Sequence, residues 1–203
     1  MQNLNQLISE YKKVRPRIVQ RLKEFKQVPK EEYFYEAAFC ILTPQSQAKK
    51  CWKAIEKLKE LDFQNKNIDP KPILQAKTRF HNHKSQYLIE LKSKFQSILQ
   101  AHDQIKNNKQ LRNHLAENVK GWGLKEASHY LRNIGYENLA ILDRHILKNL
   151  YKHQVILQLP KTINKNKYFE IENQFTIFSK DISVPIDHLD LLFWAKENGE
   201  IFK

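Results

Sequence analysis

The chain has 203 residues, 28% of them charged, with a formal net charge of +13. That length suits one large domain or two small ones with a real core, and four glycines and seven prolines are too few for a disordered chain or a many-turned β fold. The basic excess points to a polyanionic partner, nucleic acid first, although it also fits a merely basic soluble protein.

Residues 4–27 carry apolar side chains at helical spacing, among them Leu7, Tyr11, Ile18 and Phe25. Pro16 predicts a break or kink that leaves two helices, and the interleaved lysines and arginines predict a solvated face with the charge to touch DNA. After Val28-Pro29, KEEYFYEAAFCIL predicts a buried helix ending at Thr43-Pro44-Gln45-Ser46, followed by a basic helix, SQAKKCWKAIEKLKEL. Asp69-Pro70 reads as an N-cap with proline at the first helical position. TRFHNHKSQYLIELKSKF then continues a core-facing stripe from Tyr87 to Leu99, and NNKQLRNHLAENVKG predicts the first helix of a hairpin.

The stretch from Val119 to His145 follows, VKGWGLKEASHYLRNIGYENLAILDRH. Gly121 and Gly123 form a GWG turn, where glycine permits positive φ and close backbone approach to a ligand. The turn leads into a helix whose first N–H groups favour an anion such as phosphate. Lys125 falls in the first helical turn, where the dipole disfavours a cation and, with partial burial, favours a free nucleophilic amine. One helix and one connection later, Asp143 precedes the apolar-periodic run ILKNLY and reads as its N-cap. Taken singly, a lysine here is a surface lysine and an aspartate only a cap; their combination is far more specific.

Beyond Asp143, HQVILQLPKTINKNK is the one place with a local strand pattern, but the β-branched run is short and predicts a packed connection. YFEIENQFTIFSKDIS and VPIDHLDLLFWAKENGEIFK predict two final helices. Cys40 and Cys51 are expected as buried free thiols of a reducing compartment, not a disulfide. His81 and His83 form an isolated HxH with nothing to complete a metal site. The N-terminus lacks a signal-peptide core and no apolar run reaches membrane-spanning length, so an intracellular protein away from membranes is expected.

GWGLK followed by LDRH resembles the helix-hairpin-helix DNA glycosylase superfamily in its lysine-bearing, bifunctional form. The string GLKEASHYLRNIGYENLAILDRHIL is similar to the type 2 8-oxoguanine DNA glycosylases, and further matches cover most of the chain: LTPQSQA, the RFxNxK pattern from Arg79 to Lys84, and the C-terminus with Trp194 and Lys203. The resemblance implies an all-α fold of two helical lobes with a DNA-binding cleft between them. It makes residues 1–203 one glycosylase unit whose lobes are not contiguous in sequence, with the hairpin motif at about 108–134.

It also implies roles. Lys125 attacks the sugar C1′, displaces 8-oxoguanine and forms a Schiff base, and β-elimination of the 3′ phosphate nicks the strand. Asp143 stabilises the positive charge developing on the sugar. The turn with Gly121 and Gly123 holds DNA phosphates and His145 adds a contact. Gln45 either enters the gap left by the flipped nucleotide or belongs to a simple helix-to-helix turn. Phe80 is either a stacking face for the extruded base or an ordinary core phenylalanine. Trp194 either stacks on the base or fills the core of a terminal helix, and Lys203 contacts the polar edge of the base or frays. No metal or organic cofactor is needed. The expected partner is double-stranded DNA containing oxidised guanine, and the chain is read as a monomer. Two alternatives stay open: an oxidised-pyrimidine, endonuclease III-like glycosylase/lyase on the same scaffold, and a non-catalytic helix-hairpin-helix DNA-binding module. The second sits poorly with Lys125 and Asp143, since phosphate binding requires neither.

Overall fold

The computed structural model describes residues 2–203, and the side chains of 4–197 and 199–203. Among the described residues all regular structure is helical and there is no strand. The chain divides into two compact units, Val28–Tyr130 and a second made of Met1–Gln27 with Leu131–Lys203.

The unit of residues 28–130 is built on α2 (Tyr33–Leu42), in which every residue from Phe34 to Leu42 is buried. An apolar ten-residue helix has no solvated face to offer, so it becomes a core helix. It packs against α3 (Ala48–Glu60) and α5 (His81–Gln104). Phe34 meets Phe95 edge-on at 5.2 Å and Phe39 meets Trp52 at 5.4 Å, contacts worth roughly 0.5–1.5 kcal/mol each beyond burial. Cys40 and Cys51 are buried thiols, as expected. The short α4 (Lys71–Gln75) has Pro70 as its N-cap, one residue later than predicted, but Asp69 still accepts the Lys71 N–H at 3.0 Å. α6 (Asn108–Asn118) is capped by the Asn107 side chain on the Gln110 N–H at 3.0 Å. The GWG turn then leads into α7 (Leu124–Asn133).

The other unit starts with α1 (Gln2–Lys26), which runs unbroken through Pro16. The predicted break does not occur because Leu7, Tyr11, Ile18 and Phe25 are all buried along one face, on both sides of the proline. Pro16 and Lys12, whose carbonyl loses its amide partner to the proline, are both exposed, so the lost bond falls on the solvated face. α7 ends in this unit with Gly135 at φ +92, and the Tyr136 N–H closes the end on the Leu131 carbonyl at 2.9 Å. A Cβ at Gly135 would lie 2.8 Å from the Lys26 Cα, so only glycine fits there.

α8 (Arg144–Lys152), α9 (Lys165–Asp181) and α10 (Ile186–Asn198) follow, and α10 packs against α1, α8 and α9. Tyr11 Oη and His188 Nδ1 lie 2.8 Å apart, and Lys196 pairs with Glu10. The connection after α8 is irregular. It is only partly packed, since Ile156 is buried while Leu157 is 93% exposed. Among the described residues no helix is long and apolar enough to cross a membrane.

Candidate active site

Lys125 is the second residue of α7, in its first turn, with a side chain 23% exposed. The preceding turn is closed by the Trp122 N–H on the Val119 carbonyl at 3.1 Å, and the Trp122 ring is buried 5.0 Å from the Tyr130 ring. Gly121 has φ +84, and a Cβ there would lie 2.5 Å from Tyr87 Cδ2. Gly123 is different from the expectation: its φ is outside the left-handed region, and a Cβ there would make only an ordinary contact at 3.5 Å.

What holds Gly123 is Glu126, whose Oε2 accepts its N–H at 3.1 Å. This is the return half of a capping box, with an acid three residues after the cap. The other oxygen of Glu126 lies 3.5 Å from Lys125 Nζ. Glu126 therefore ties the turn to the lysine, a role not read from the sequence although the spacing in GLKE carries the signal.

In the unit formed by residues 1–27 and 131–203, Asp143 caps α8. Its Oδ1 accepts the N–H of His145 at 2.8 Å and of Ile146 at 2.9 Å. The connection leading to it is anchored by the buried run Leu139-Ala140-Ile141-Leu142. The Ala140 N–H donates to Glu172 Oε1 at 3.2 Å, Tyr168 Oη donates to the Ala140 carbonyl at 2.5 Å, and the Asn138 N–H donates to Asp187 Oδ2 at 2.9 Å. Burial pushes the Asp187 carboxyl up to about 6, against the opposing Asn138 bond and Arg132. His145 is half-buried, with Nδ1 3.7 Å from Glu197 of α10, which also pairs with Lys148 at 3.0 Å.

Trp194 of α10 is partly exposed, with its ring 6.3 Å from that of Phe202. Ile201 is 9% exposed and, with Pro16 and Arg17 of α1, lines a shallow cavity of about 380 Å³. The last residues are thus packed, with Phe202 and Lys203 half-buried.

Gln45 and Phe80 belong to the unit of residues 28–130, and both are exposed with a left-handed backbone, φ 55 and φ 57. At 51% exposure Phe80 is no core residue, and Arg79 lies over its ring at 5.6 Å. The segments that carry the two residues are joined by a buried lysine, Lys84. From the sequence, Lys84 stood out only as the last letter of RFxNxK. Desolvation lowers its pKa to about 8, opposed by Cys51 and assisted by the charges of Arg79 and Lys125.

Two helices joined by a Gly-Trp-Gly turn, a lysine in the first turn beyond it and an aspartate capping the next helix define a helix-hairpin-helix fold of the DNA glycosylase class. Residues 18–184 match the family described as 8-oxoguanine DNA glycosylase of helix-hairpin-helix type (Ogg-HhH). The chain belongs to that family. It is 40% identical over 211 residues to the 8-oxoguanine DNA glycosylase/AP lyase of Fusobacterium nucleatum, covering 98% of this chain and 97% of the relative. The enzyme of the same description from Methanocaldococcus jannaschii is 34% identical, over 96% of this chain and 94% of the relative. The solved structure of the M. jannaschii glycosylase/lyase with a 15mer DNA containing 8-oxoguanine superposes with a TM-score of 0.88 at 32% identity, covering 98% of this chain and all of that one. The 8-oxoguanine DNA glycosylase of Thermotoga maritima gives 0.89 at 27% identity, over 100% and 99%.

Proposed function

We propose that this chain is a bifunctional DNA repair enzyme, which excises 8-oxoguanine from double-stranded DNA and then cleaves the strand at the abasic site. A lysine cannot reach a sugar carbon inside a stacked duplex, so the damaged nucleotide is first flipped out. The neutral amine of Lys125 then attacks C1′. The glycosidic bond breaks, the base leaves and takes up a proton, and the sugar opens to a Schiff base on Lys125 Nζ. Loss of a C2′ proton expels the 3′ phosphate, and water hydrolyses the imine to release the enzyme. These steps use no metal or organic cofactor.

Asp143 stabilises the cationic sugar as the base departs. The GWG turn with Gly121 and Gly123 takes DNA phosphates, the Gly123 N–H becoming available once Glu126 releases it, and His145 adds a contact. Gln45 occupies the space left by the extruded nucleotide. Phe80 and Trp194 offer stacking faces, and Lys203 contacts the polar edge of the base. The enzyme acts as a monomer, inside the cell where the DNA is, in the cytoplasm or nucleoid.

The observation that carries this reading is Lys125 in the first turn of α7 directly behind the glycine turn, in a chain of this family. The test is borohydride trapping on a duplex containing one 8-oxoguanine. The wild-type protein is expected to give a covalent protein–DNA adduct. Lys125→Gln keeps a long polar side chain without the amine and is expected to bind DNA and give none. Undiminished trapping by this variant sinks the nucleophile assignment. Cleavage of an oxidised-pyrimidine duplex in place of the 8-oxoguanine one assigns the endonuclease III-like activity instead.

A further inference from the structure

We propose that Lys84 is a positioning residue that locks the Thr43–Ser46 and Thr78–Phe80 segments together, so that Gln45 and Phe80 are presented to the damaged strand as one rigid edge. The inference rests on the DNA-contact reading of those two residues given above.

Lys84 stands in the first turn of α5 and is 5% exposed. Its Nζ lies 2.7 Å from the Leu42 carbonyl, 2.7 Å from the Pro44 carbonyl, 3.0 Å from Ser46 Oγ and 2.7 Å from Thr78 Oγ1. Four oxygens surround three N–H groups, so the ammonium is saturated. The two segments are also stitched to each other. Ser46 Oγ and Thr78 Oγ1 are 2.8 Å apart, the Arg79 N–H donates to Ser46 Oγ at 3.0 Å, and Thr78 Oγ1 donates to the Leu42 carbonyl at 3.1 Å.

Two features separate this arrangement from ordinary fold support. All four partners of Lys84 are neutral oxygens, and a buried cation without a paired carboxylate is a costly way to fill space. Each segment also holds one non-glycine residue in the left-handed region, Gln45 and Phe80. Such a conformation is disfavoured for a side chain with a Cβ and persists only where its surroundings over-determine it. The residue held in that way is in both cases exposed. The buried cation therefore fixes two strained tips that contribute little packing of their own.

The test compares wild type with Lys84→Met and, because a core change can unfold the protein, with the milder pair Ser46→Ala and Thr78→Val. Hydrogen exchange is read over residues 43–47 and 77–80, with the α6–α7 hairpin as internal reference. Single-turnover excision of 8-oxoguanine is read beside β-elimination on a preformed abasic site. In Lys84→Met both segments are expected to exchange faster while the hairpin is unchanged, excision to fall roughly tenfold or more, and elimination to stay within about threefold. The hydroxyl variants shift the same readouts less. Unchanged exchange in both segments overturns the proposal, as does an equal loss of excision and elimination in folded variants. Phe80→Ala is the control for the underlying reading: if it excises normally, the stacking role of Phe80 fails, and the exchange data still decide whether Lys84 locks the two segments.

Discussion

Asp143 satisfies two backbone donors with one oxygen. Both cap bonds of α8 fall on Oδ1, so Oδ2 takes no part in the cap. Asp143→Asn can keep the cap acceptor while losing the charge, and stability is expected to change by less than about 1 kcal/mol. Base release is expected to slow by about two orders of magnitude or more, measured as single-turnover excision beside a melting curve. Near-normal turnover would remove Asp143 from the chemistry.

Gly121 gives the converse case. Gly121→Ala combines φ +84 with a collision against the Tyr87 ring, and a loss of roughly 1–3 kcal/mol in chemical denaturation is expected. Gly123→Ala, free of both constraints, is expected to cost less. Lys125 and the Asp143 cap were legible in the sequence because each depends on neighbours within a helical turn. The bonds that steer the chain into Asp143 were not, because the Glu172 and Tyr168 contacts to Ala140 span 32 and 28 residues.

At the scale of elements, His102 links α5 to α7 through Nε2 and Tyr130 Oη, 3.0 Å apart. Burial lowers its pKa to about 4, from an ordinary 6.5. The folded state thus holds the neutral imidazole, and the unfolded chain binds the extra proton between these values. Stability from this group is complete above pH 6.5 and is lost as pH falls toward 4, on the order of 3 kcal/mol in full. His153 and His188, also lowered by burial, add the same sign. Asp187, raised to about 6, has the opposite sign, since folding favours its proton from 3.8 up to that value. Melting temperatures between pH 7.5 and 4.5 are expected to fall less steeply for His102→Gln than for wild type; identical slopes would deny His102 this role. Helical periodicity located each long element, but it misjudged Pro16, because the effect of a proline depends on which face it occupies and what holds the helix on either side.

For the whole molecule, the formal charge of +13 predicts that affinity for undamaged duplex falls steeply with salt, with a log–log slope of about −0.9 for each phosphate neutralised. Fluorescence anisotropy across a salt series measures it, and a flat dependence would mean that the basic residues do not face DNA. The individual helices were readable from periodicity, and the all-helical class came with the family resemblance. The composition of each compact unit is a matter of long-range pairing, such as Tyr11 with His188 and Glu10 with Lys196, for which no local pattern exists.

The two sealed thiols bear on the circumstances in which such an enzyme is needed. Guanine is oxidised when peroxide and related species are abundant, and those species attack exposed thiolates and thioethers first. Here Cys40 and Cys51 are wholly buried, burial pushes the Cys51 thiol pKa up, and Met1 is the sole methionine in the sequence. The fold offers oxidants almost no sulfur. Brief hydrogen peroxide treatment of the native protein is expected to leave borohydride trapping undiminished and both cysteines at unchanged mass, whereas the urea-unfolded chain should be oxidised at both. The repair activity would then be chemically durable under the stress that creates its lesion.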